Sequence, residues 1–321
     1  MSASEVVDSL TIGVDVGGTK VWAGVVDAQG TLLAEARRPT PSQEPAKVIE
    51  TIADLVEELR IDHTVEAVGI GAAGFVDSAR SRVRFAPNLA WRDEPLRDEA
   101  IERIGLPVVV ENDANAMAWA EHRFGAGRGE DNLVCLTIGT GIGGGLVFDG
   151  RLLRGAFGIG AEIGHMCLVE GGHECGCGNR GCYEQYGSGR ALVRTAREMA
   201  ALSPTAAERL LELAGGTIDA EAGPAITAAA HEGDPLAVKC FERIGASIGR
   251  GLASLAAILD PGRFVLGGGV CEAGDLLLNP VRTEFLANLS GRRYRPEADI
   301  VLAELGSRAG IIGAADLSRD R

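Results

Sequence analysis

The chain has 321 residues, enough for two domains of ordinary size, and 46% of them are hydrophobic. Its 31 Lys and Arg residues and 45 Asp and Glu residues give a formal net charge of −14. This charge argues against a general nucleic-acid binder, because such proteins usually carry a basic face. The sequence shows neither a secretory signal nor an apolar stretch long enough to span a bilayer, and its 7 cysteines do not suggest a disulfide framework. We therefore expect a cytoplasmic globular protein without membrane or nucleic-acid partners.

The first predicted elements are three strands joined by tight turns. An apolar strand at 10–14 ends at Asp15, and a glycine turn at 17–20 leads to strands at 21–26 and 31–36. Glycines in such a turn let backbone amides approach a ligand, and phosphate is the usual one. A purely structural turn is the alternative. The spacing is not that of a P-loop, which needs Gly-x4-Gly-Lys-Ser/Thr and a following helix.

The next segment predicts a helix, a strand and two turns. The periodicity over 45–60 is helical, and the strand at 65–70 leads into a loop that contains Gly74. A later turn presents Asn88 in the sequence Ala-Pro-Asn-Leu. Asn88 is either a plain turn residue or an amide offered to a polar ligand.

A polar cluster follows the next buried strand. The strand at 107–110 ends in Glu-Asn-Asp-Ala-Asn at 111–115, and a helix is predicted at 116–124. Asn and Asp at a helix start are often only caps. The alternative is a ligand site at the carboxyl end of a strand, where α/β sheets place their ligands.

The second half of the chain repeats the first. A strand at 132–138 opens into a glycine and threonine turn at 139–145, followed by an apolar strand and an Asp-Gly turn at 149–150. We expect two related domains whose glycine hairpins face one cleft. The expected N-terminal domain is 1–125, completed by a C-terminal helix at 306–321, and the expected C-terminal domain is 126–305.

A glycine-rich stretch in the second half predicts a zinc site. Three sulfur ligands and one imidazole suit a tetrahedral zinc ion, and glycines let a loop fold tightly around it. His173 and Cys167 are rival ligands, and three reduced cysteines without metal are the alternative. Two carboxylates, Glu162 and Glu184, flank the stretch, which predicts a polar binding pocket on this loop. The candidate ligands are His165, Cys175, Cys177 and Cys182.

The remaining chain is mostly helical. Helices are predicted at 190–213, with a break at Ser203-Pro204, at 223–233, at 235–259 and at 310–317. Strands are predicted at 263–266 and 300–303. The first of these opens into a third glycine turn at 267–269, which is a candidate for holding a nucleoside.

Together these motifs resemble the ROK family (repressor, open reading frame, kinase) over nearly the whole chain. Each motif is modestly specific, but the ordered set is highly specific. Including the sequence at 86–91, the likeness is strongest to bacterial ROK glucokinases. The residues that carry the resemblance are Asp15-x-Gly17-Gly18-Thr19-Lys20, Glu111-Asn112-Asp113-x-Asn115, Gly139-Thr140-Gly141-x-Gly143-Gly144-Gly145, Glu162-x-Gly164-His165, Cys175-x-Cys177-Gly178-x-x-Gly181-Cys182-x-Glu184 and Gly267-Gly268-Gly269.

The resemblance implies an α/β protein with the actin-like ATPase (ribonuclease H-like) fold, in which two α/β domains surround a central cleft. It implies transfer of the γ-phosphoryl group of ATP to the 6-hydroxyl of glucose, with Mg²⁺, a structural Zn²⁺ and a homodimeric or homotetrameric assembly. Asp113 would be the general base. The implied substrate-binding residues are Gly74, Asn88, Asn112, Asp113, Glu162, His165 and Glu184. The implied cofactor-binding residues are Asp15, Gly17, Gly18, Thr19, Lys20, Gly139, Thr140, Gly141, Gly267, Gly268 and Gly269. The family motif favours His165 over His173 as the zinc ligand.

Several related functions stay open at this point. The acceptor could be N-acetylmannosamine, N-acetylglucosamine or fructose, and the donor could be polyphosphate. A sugar-sensing regulator of the same family is disfavoured, because such regulators carry a DNA-binding segment ahead of the kinase-like part, whereas Asp15 lies almost at the start. The negative charge also disfavours DNA binding. We therefore expect a glucose kinase.

Overall fold

The computed structural model describes residues 9–319, which form two compact units. Of the described residues, unit 1 contains 9–131, 145–161 and 304–319, and unit 2 contains 132–144 and 162–303. Over residues 9–319, no helix has both the length and the apolar composition that crossing a membrane requires.

The elements are numbered in chain order. The strands are β1 Leu10–Val16, β2 Lys20–Val26, β3 Leu32–Pro39, β4 Val65–Ala72, β5 Phe75–Val76, β6 Val83–Phe85, β7 Arg92–Glu94, β8 Val108–Asn112, β9 Leu133–Ile138, β10 Ile142–Phe148, β11 Arg151–Leu152, β12 Arg263–Gly267 and β13 Asp299–Leu302. The α-helices are α1 Pro45–Arg60, α2 Leu96–Ile104, α3 Asp113–Phe124, α4 Glu184–Gly187, α5 Gly189–Leu202, α6 Glu208–Leu213, α7 Gly223–His231, α8 Pro235–Leu259, α9 Asp275–Asn288 and α10 Ala309–Leu317. Short 3-10 helices lie at Ile163–His165, Pro204–Ala207, Gly269–Ala273 and Gly306–Arg308.

The two large sheets have the same topology. One has the strand order β3-β2-β1-β4-β8 and the other the order β11-β10-β9-β12-β13. In the first sheet, β1 pairs antiparallel with β2 and parallel with β4. In the second sheet, β10 pairs antiparallel with β11, and β9 pairs parallel with β12. This arrangement confirms the predicted internal repeat, and it brings the carboxyl ends of β1, β4 and β8 to one edge of the first sheet.

Helix starts and ends follow local chemistry. The apolar face predicted for α1 is buried, and Pro45 stands at its start, where a missing amide hydrogen costs nothing. α3 begins three residues earlier than predicted, because Asn112 caps it by accepting a hydrogen bond from the amide of Asn115. α8 ends at Leu259, and the capping residue after it, Asp260, is left-handed and precedes Pro261.

Local periodicity does not predict α2, α9 or the small sheet of β5, β6 and β7. β5 has 2 residues and β6 and β7 have 3 each, too few to show an alternating pattern. α9 contains Pro280 in its interior, which normally breaks a helix. It packs closely on α8, where a Cβ added at Gly245 would lie 2.7 Å from the ring of Pro280. Tertiary packing therefore overrides the local signal.

Residues 145–161, which the sequence analysis places in the C-terminal domain, group with unit 1. Arg154 donates to the carboxylate of Glu111 at 2.7 Å. Gly158 has a φ of 86°, and a Cβ there would lie 2.5 Å from the backbone of Asp77. These contacts with Glu111 and Asp77 explain why residues 145–161 belong to unit 1, although the stretches before and after them belong to unit 2.

The C-terminal helix α10 packs directly on the first sheet. A Cβ added at Gly69 of β4 would lie 1.7 Å from the carbonyl oxygen of Ala314. Thr11 of β1 donates to the carbonyl of Ala315 at 3.0 Å. The absence of a side chain at Gly69 therefore lets the backbone of α10 approach the sheet more closely than any side chain would allow.

Candidate active site

Asp113 is the first residue of α3, directly after β8. Its Oδ1 accepts hydrogen bonds from the amide of Ala114 at 2.9 Å and from Nδ2 of Asn112 at 3.1 Å. Nδ2 of Asn112 also donates to the carbonyl of Gly74 at 3.1 Å. The structure thus brings together Gly74, Asn112 and Asp113, three of the residues predicted to bind substrate. Asn112 is a helix cap as well, so the cap interpretation that the sequence left open holds for this residue.

Two carboxylates in this region have raised pKa values. Burial raises the pKa of Asp113 to about 6, against the opposing effect of its hydrogen bonds to Ala114 and Asn112. Burial, and then the nearby charge of Asp113, raises the pKa of Asp15 to about 7, while Lys20 acts in the opposite direction. A carboxylate with a pKa near 6 is still ionised at neutral pH and is a better proton acceptor than an exposed aspartate.

The first glycine turn lies beside these carboxylates in unit 1. The amide of Gly17 donates to the carbonyl of Lys20 at 3.0 Å, which closes the turn between β1 and β2. A Cβ added at Gly18 would lie 3.0 Å from the side chain of Asn88, so Asn88 belongs to the same region. Thr19 and Lys20 are exposed, and Nζ of Lys20 lies over the ring of Trp22 at 4.4 Å from its centroid.

The other two glycine turns lie together in unit 2. Gly139, Thr140 and Gly141 join β9 to β10, and the carbonyl of Gly139 accepts from the amide of Gly189 at 2.8 Å. Gly267 ends β12, Gly269 begins a 3-10 helix, and Gly268 between them has a φ of 94°. A Cβ at Gly268 would lie 2.6 Å from the carbonyl oxygen of Ile138, so only glycine fits where this turn meets the end of β9.

Glu184 links the second glycine turn to the cysteine loop. A Cβ added at Gly141 would lie 2.5 Å from Oε2 of Glu184. Oε1 of Glu184 lies 3.0 Å from Sγ of Cys175. One carboxylate therefore contacts both the turn and the loop, a contact that sequence spacing does not reveal.

The predicted zinc ligands converge. The ligand atoms of His165, Cys175, Cys177 and Cys182 all lie within 4.8 Å of one another. Sγ of Cys177 is 3.6 Å from Sγ of Cys182, and Nδ1 of His165 is 3.6 Å from Sγ of Cys175. Two ligands about 2.3 Å from a tetrahedral zinc are roughly 3.8 Å apart, so the residues fit this ion.

The rival ligands have other surroundings. The ring of His173 packs against Tyr186 in a tilted arrangement, with the ring centroids 5.3 Å apart. Cys167 is exposed, and its Sγ lies 4.0 Å from the carbonyl of Arg180. Nε2 of His165 points toward the carboxylate of Glu162, 3.9 Å away, so His165 stands between the cysteines and a predicted substrate-binding side chain.

Glu111 belongs to the site, although the sequence predicted no function for it. Glu111 is 2% exposed, and its carboxylate is surrounded by donors from β8, α3 and the segment after β11. Its sequence signal is a charged residue directly after the apolar run at 108–110. Its partner Arg154 lies 43 residues away, which no local pattern indicates.

Comparison with known proteins agrees with these features. A model of the ROK family matches residues 11–321. The chain is 51% identical to the glucokinase of Streptomyces coelicolor over 311 residues, covering 97% of this chain and 98% of that protein. It is 38% identical over 312 residues to the glucokinase of Thermotoga maritima, covering 97% of each.

A solved structure gives the same result for the fold. The crystal structure of a ROK family glucokinase from Streptomyces griseus, in complex with glucose and AMPPNP, has a TM-score of 0.90 and 50% identity to this chain. The match covers 98% of this chain and 100% of that one. The predicted actin-like ATPase fold is thereby confirmed. Since the family model and the relatives extend over nearly all of its length, the chain belongs to the ROK family.

Proposed function

We propose that this protein is a glucokinase that transfers the γ-phosphoryl group of ATP to the 6-hydroxyl of glucose. The observation that carries the proposal is the identity of about half of all residues to glucokinases along nearly the whole chain. The half-buried Asp113, with its raised pKa, supports the chemistry, because phosphoryl transfer to an alcohol needs a nearby proton acceptor.

In the proposed reaction, the 6-oxygen of glucose bonds to the γ-phosphorus as the bond from that phosphorus to the bridging oxygen breaks. ADP leaves, and the hydroxyl proton passes to Asp113. We place the hydroxyl at Oδ2, because Oδ1 already accepts from Ala114 and Asn112. These two bonds fix the orientation of the carboxylate before the substrate binds.

The remaining polar residues are assigned to the two substrates. The glycine turns at 17–20 and 139–141 offer backbone amides to the phosphates, and the turn at 267–269 receives the nucleoside. Asp15 is assigned to Mg²⁺, which accompanies ATP and neutralises phosphate charge. A carboxylate whose pKa is raised to about 7 by burial and by a second carboxylate fits a cation site, because a cation relieves that repulsion. The sugar hydroxyls are assigned to Gly74, Asn88, Asn112, Glu162, His165 and Glu184.

The cysteine loop is proposed to hold a structural zinc ion. Its ligands would be His165, Cys175, Cys177 and Cys182, a set without an open position for water. Bound zinc would keep the loop folded and fix the tautomer of His165. Nδ1 of His165 faces Cys175, which leaves Nε2 for a sugar hydroxyl beside Glu162.

We also propose a cytoplasmic homodimer or homotetramer. Large apolar side chains on both units are solvent-exposed, among them Phe157 at 78% and Ile258 at 77%. Light scattering of the purified protein tests the assembly state.

Glucose is expected to be the preferred acceptor in a coupled assay of ADP release over a panel of sugars. N-acetylmannosamine and N-acetylglucosamine should be poor substrates, and 6-deoxyglucose should bind without reacting because it lacks the attacking hydroxyl. The same assay with fructose tests the remaining hexose, and direct measurement of glucose 6-phosphate with polyphosphate in place of ATP tests the donor. An acetamido sugar with a higher kcat/KM than glucose would overturn the assignment.

The activity is expected to fall in acid. Because Asp113 acts as a base only when ionised, kcat/KM for glucose should decrease about tenfold per pH unit below a pKa of about 6. The folded state binds this proton more tightly than the unfolded chain does. The stability contributed by this group is therefore greatest below its ordinary pKa of 3.8 and is lost as the pH rises through about 6. A pH–rate profile whose acid limb lies near 3.8 would contradict the assignment.

A further inference from the structure

The carboxylate of Glu111 meets hydrogen-bond donors at both of its oxygens. Oε1 accepts from the backbone amide of Asn112 at 3.1 Å and from Nδ2 of Asn115 at 3.0 Å. Oε2 accepts from Nε of Arg154 at 2.7 Å, and Nε of Arg80 lies 3.5 Å from it. A buried carboxylate is costly unless charge and hydrogen bonds compensate it, and here both do.

The donors at Oε1 enclose the proposed base. Asn112 precedes Asp113, and Asn115 lies in the first turn of α3 behind it. Asn112 in turn donates from its side chain to Oδ1 of Asp113. Glu111 therefore binds the backbone amide of the residue before Asp113 and the side chain of Asn115, two residues after it.

The donors at Oε2 connect this strand end to two more segments of unit 1. The carbonyl of Arg154 accepts from the amide of Gly160 at 2.9 Å, which closes the loop after β11. Arg80 has a φ of 54°, a strained value for a residue with a side chain, and its Nη2 lies 3.5 Å from the carbonyl of Leu317. Arg154 is therefore held by a contact within its own loop, and Arg80 by a contact with the end of α10.

We propose that Glu111, held by Arg154, is a positioning residue that sets the orientation of Asn112 and Asp113 for phosphoryl transfer. This inference rests on the proposed function. Its chemical basis is that the four groups described at the two oxygens are all donors, namely the amide of Asn112, Nδ2 of Asn115 and Nε of Arg154 and Arg80. A glutamine would turn its amide group toward donors at one oxygen or the other, so it would lose contacts despite its equal size.

The test measures kcat and KM for Glu111→Gln, Arg154→Met, Arg154→Lys and the wild-type enzyme. The measurements are made well below the melting temperature of each protein, and kcat is expressed per folded enzyme. We expect Glu111→Gln and Arg154→Met each to lower kcat on the order of 10²-fold, because a shift of about 1 Å in a reacting group has that effect. KM for ATP should change only a few-fold. Arg154→Lys should recover part of the loss, because it keeps the charge. A variant that combines Glu111→Gln with Arg154→Met should have no lower kcat than Glu111→Gln alone, because the two residues act as a pair.

A matched control separates positioning from stability. Asp316 is another buried carboxylate of unit 1, 6% exposed, that pairs with Arg123 at 3.3 Å and accepts from Trp119 at 2.8 Å. Asp316→Asn should lower the melting temperature while the folded enzyme keeps its kcat.

Failure of the proposed glucokinase activity and failure of the positioning role of Glu111 give different results. A wild-type enzyme without glucose-dependent ADP release would refute the proposed function. An active wild type beside a Glu111→Gln variant whose kcat lies within threefold would refute the positioning role, as would an equal loss in Asp316→Asn. If Glu111→Gln does not fold, Arg154→Met and Arg154→Lys decide alone, and equal activity in both overturns the inference.

Discussion

Asp113→Asn is expected to lower kcat for glucose phosphorylation by roughly 10²–10⁴-fold, the usual contribution of a positioned base. Asparagine keeps the shape of the side chain and can still accept from Ala114 and Asn112, but it cannot take the proton of the attacking hydroxyl. Steady-state kinetics with purified, folded protein measures the effect. A variant that turned over within a few-fold of wild type would show that Asp113 is not the base.

Two further measurements accompany this variant. The dissociation constant for glucose, from calorimetry, should rise only modestly, because the other polar residues remain. The melting temperature at neutral pH should rise, because burial raises the pKa of Asp113 and its ionised form therefore destabilises the folded state. Lower activity together with higher stability in Asp113→Asn is the result expected when a residue serves catalysis at the expense of stability.

Cys177→Ser is expected to abolish zinc binding, because a serine hydroxyl is a far poorer zinc ligand than a thiolate. Elemental analysis should find one zinc per chain in wild type and none in the variant. KM for glucose should rise by roughly tenfold or more, since loss of a metal-held arrangement has effects of that size. The melting temperature should fall. Because Glu184 contacts both Cys175 and Gly141, KM for ATP should rise too, but less, as the turn at 17–20 is held separately in unit 1.

Two histidine variants serve as the comparison for the zinc prediction. His165→Ala should reproduce the defect toward glucose. His173→Ala should leave zinc content and KM for glucose nearly unchanged, because His173 is not among the residues whose ligand atoms converge. Zinc that is retained in His165→Ala and lost in His173→Ala would refute the proposed ligand set.

Local patterns in the sequence determined the long amphipathic helices, most strands of the two large sheets and the glycine turns. Helical periodicity places α1 at Pro45–Arg60 and α8 at Pro235–Leu259, with the predicted bounds, because each has one apolar face and a proline at its start. Glycine turns after apolar strands are also local, since they depend on a few adjacent residues. The spacing of the cysteines likewise brings them together on one short loop, where their ligand atoms meet.

The tertiary structure alone decided what depends on residues far apart in the chain. The helix α9 tolerates Pro280 because it packs on α8, and residues 145–161 join unit 1 because Arg154 reaches Glu111 across 43 positions. The raised pKa of Asp113 also belongs to this level. From sequence, a helix start favours the ionised carboxylate. In the folded chain, burial outweighs the hydrogen bonds from Ala114 and Asn112, because it removes the water that would otherwise solvate the charge.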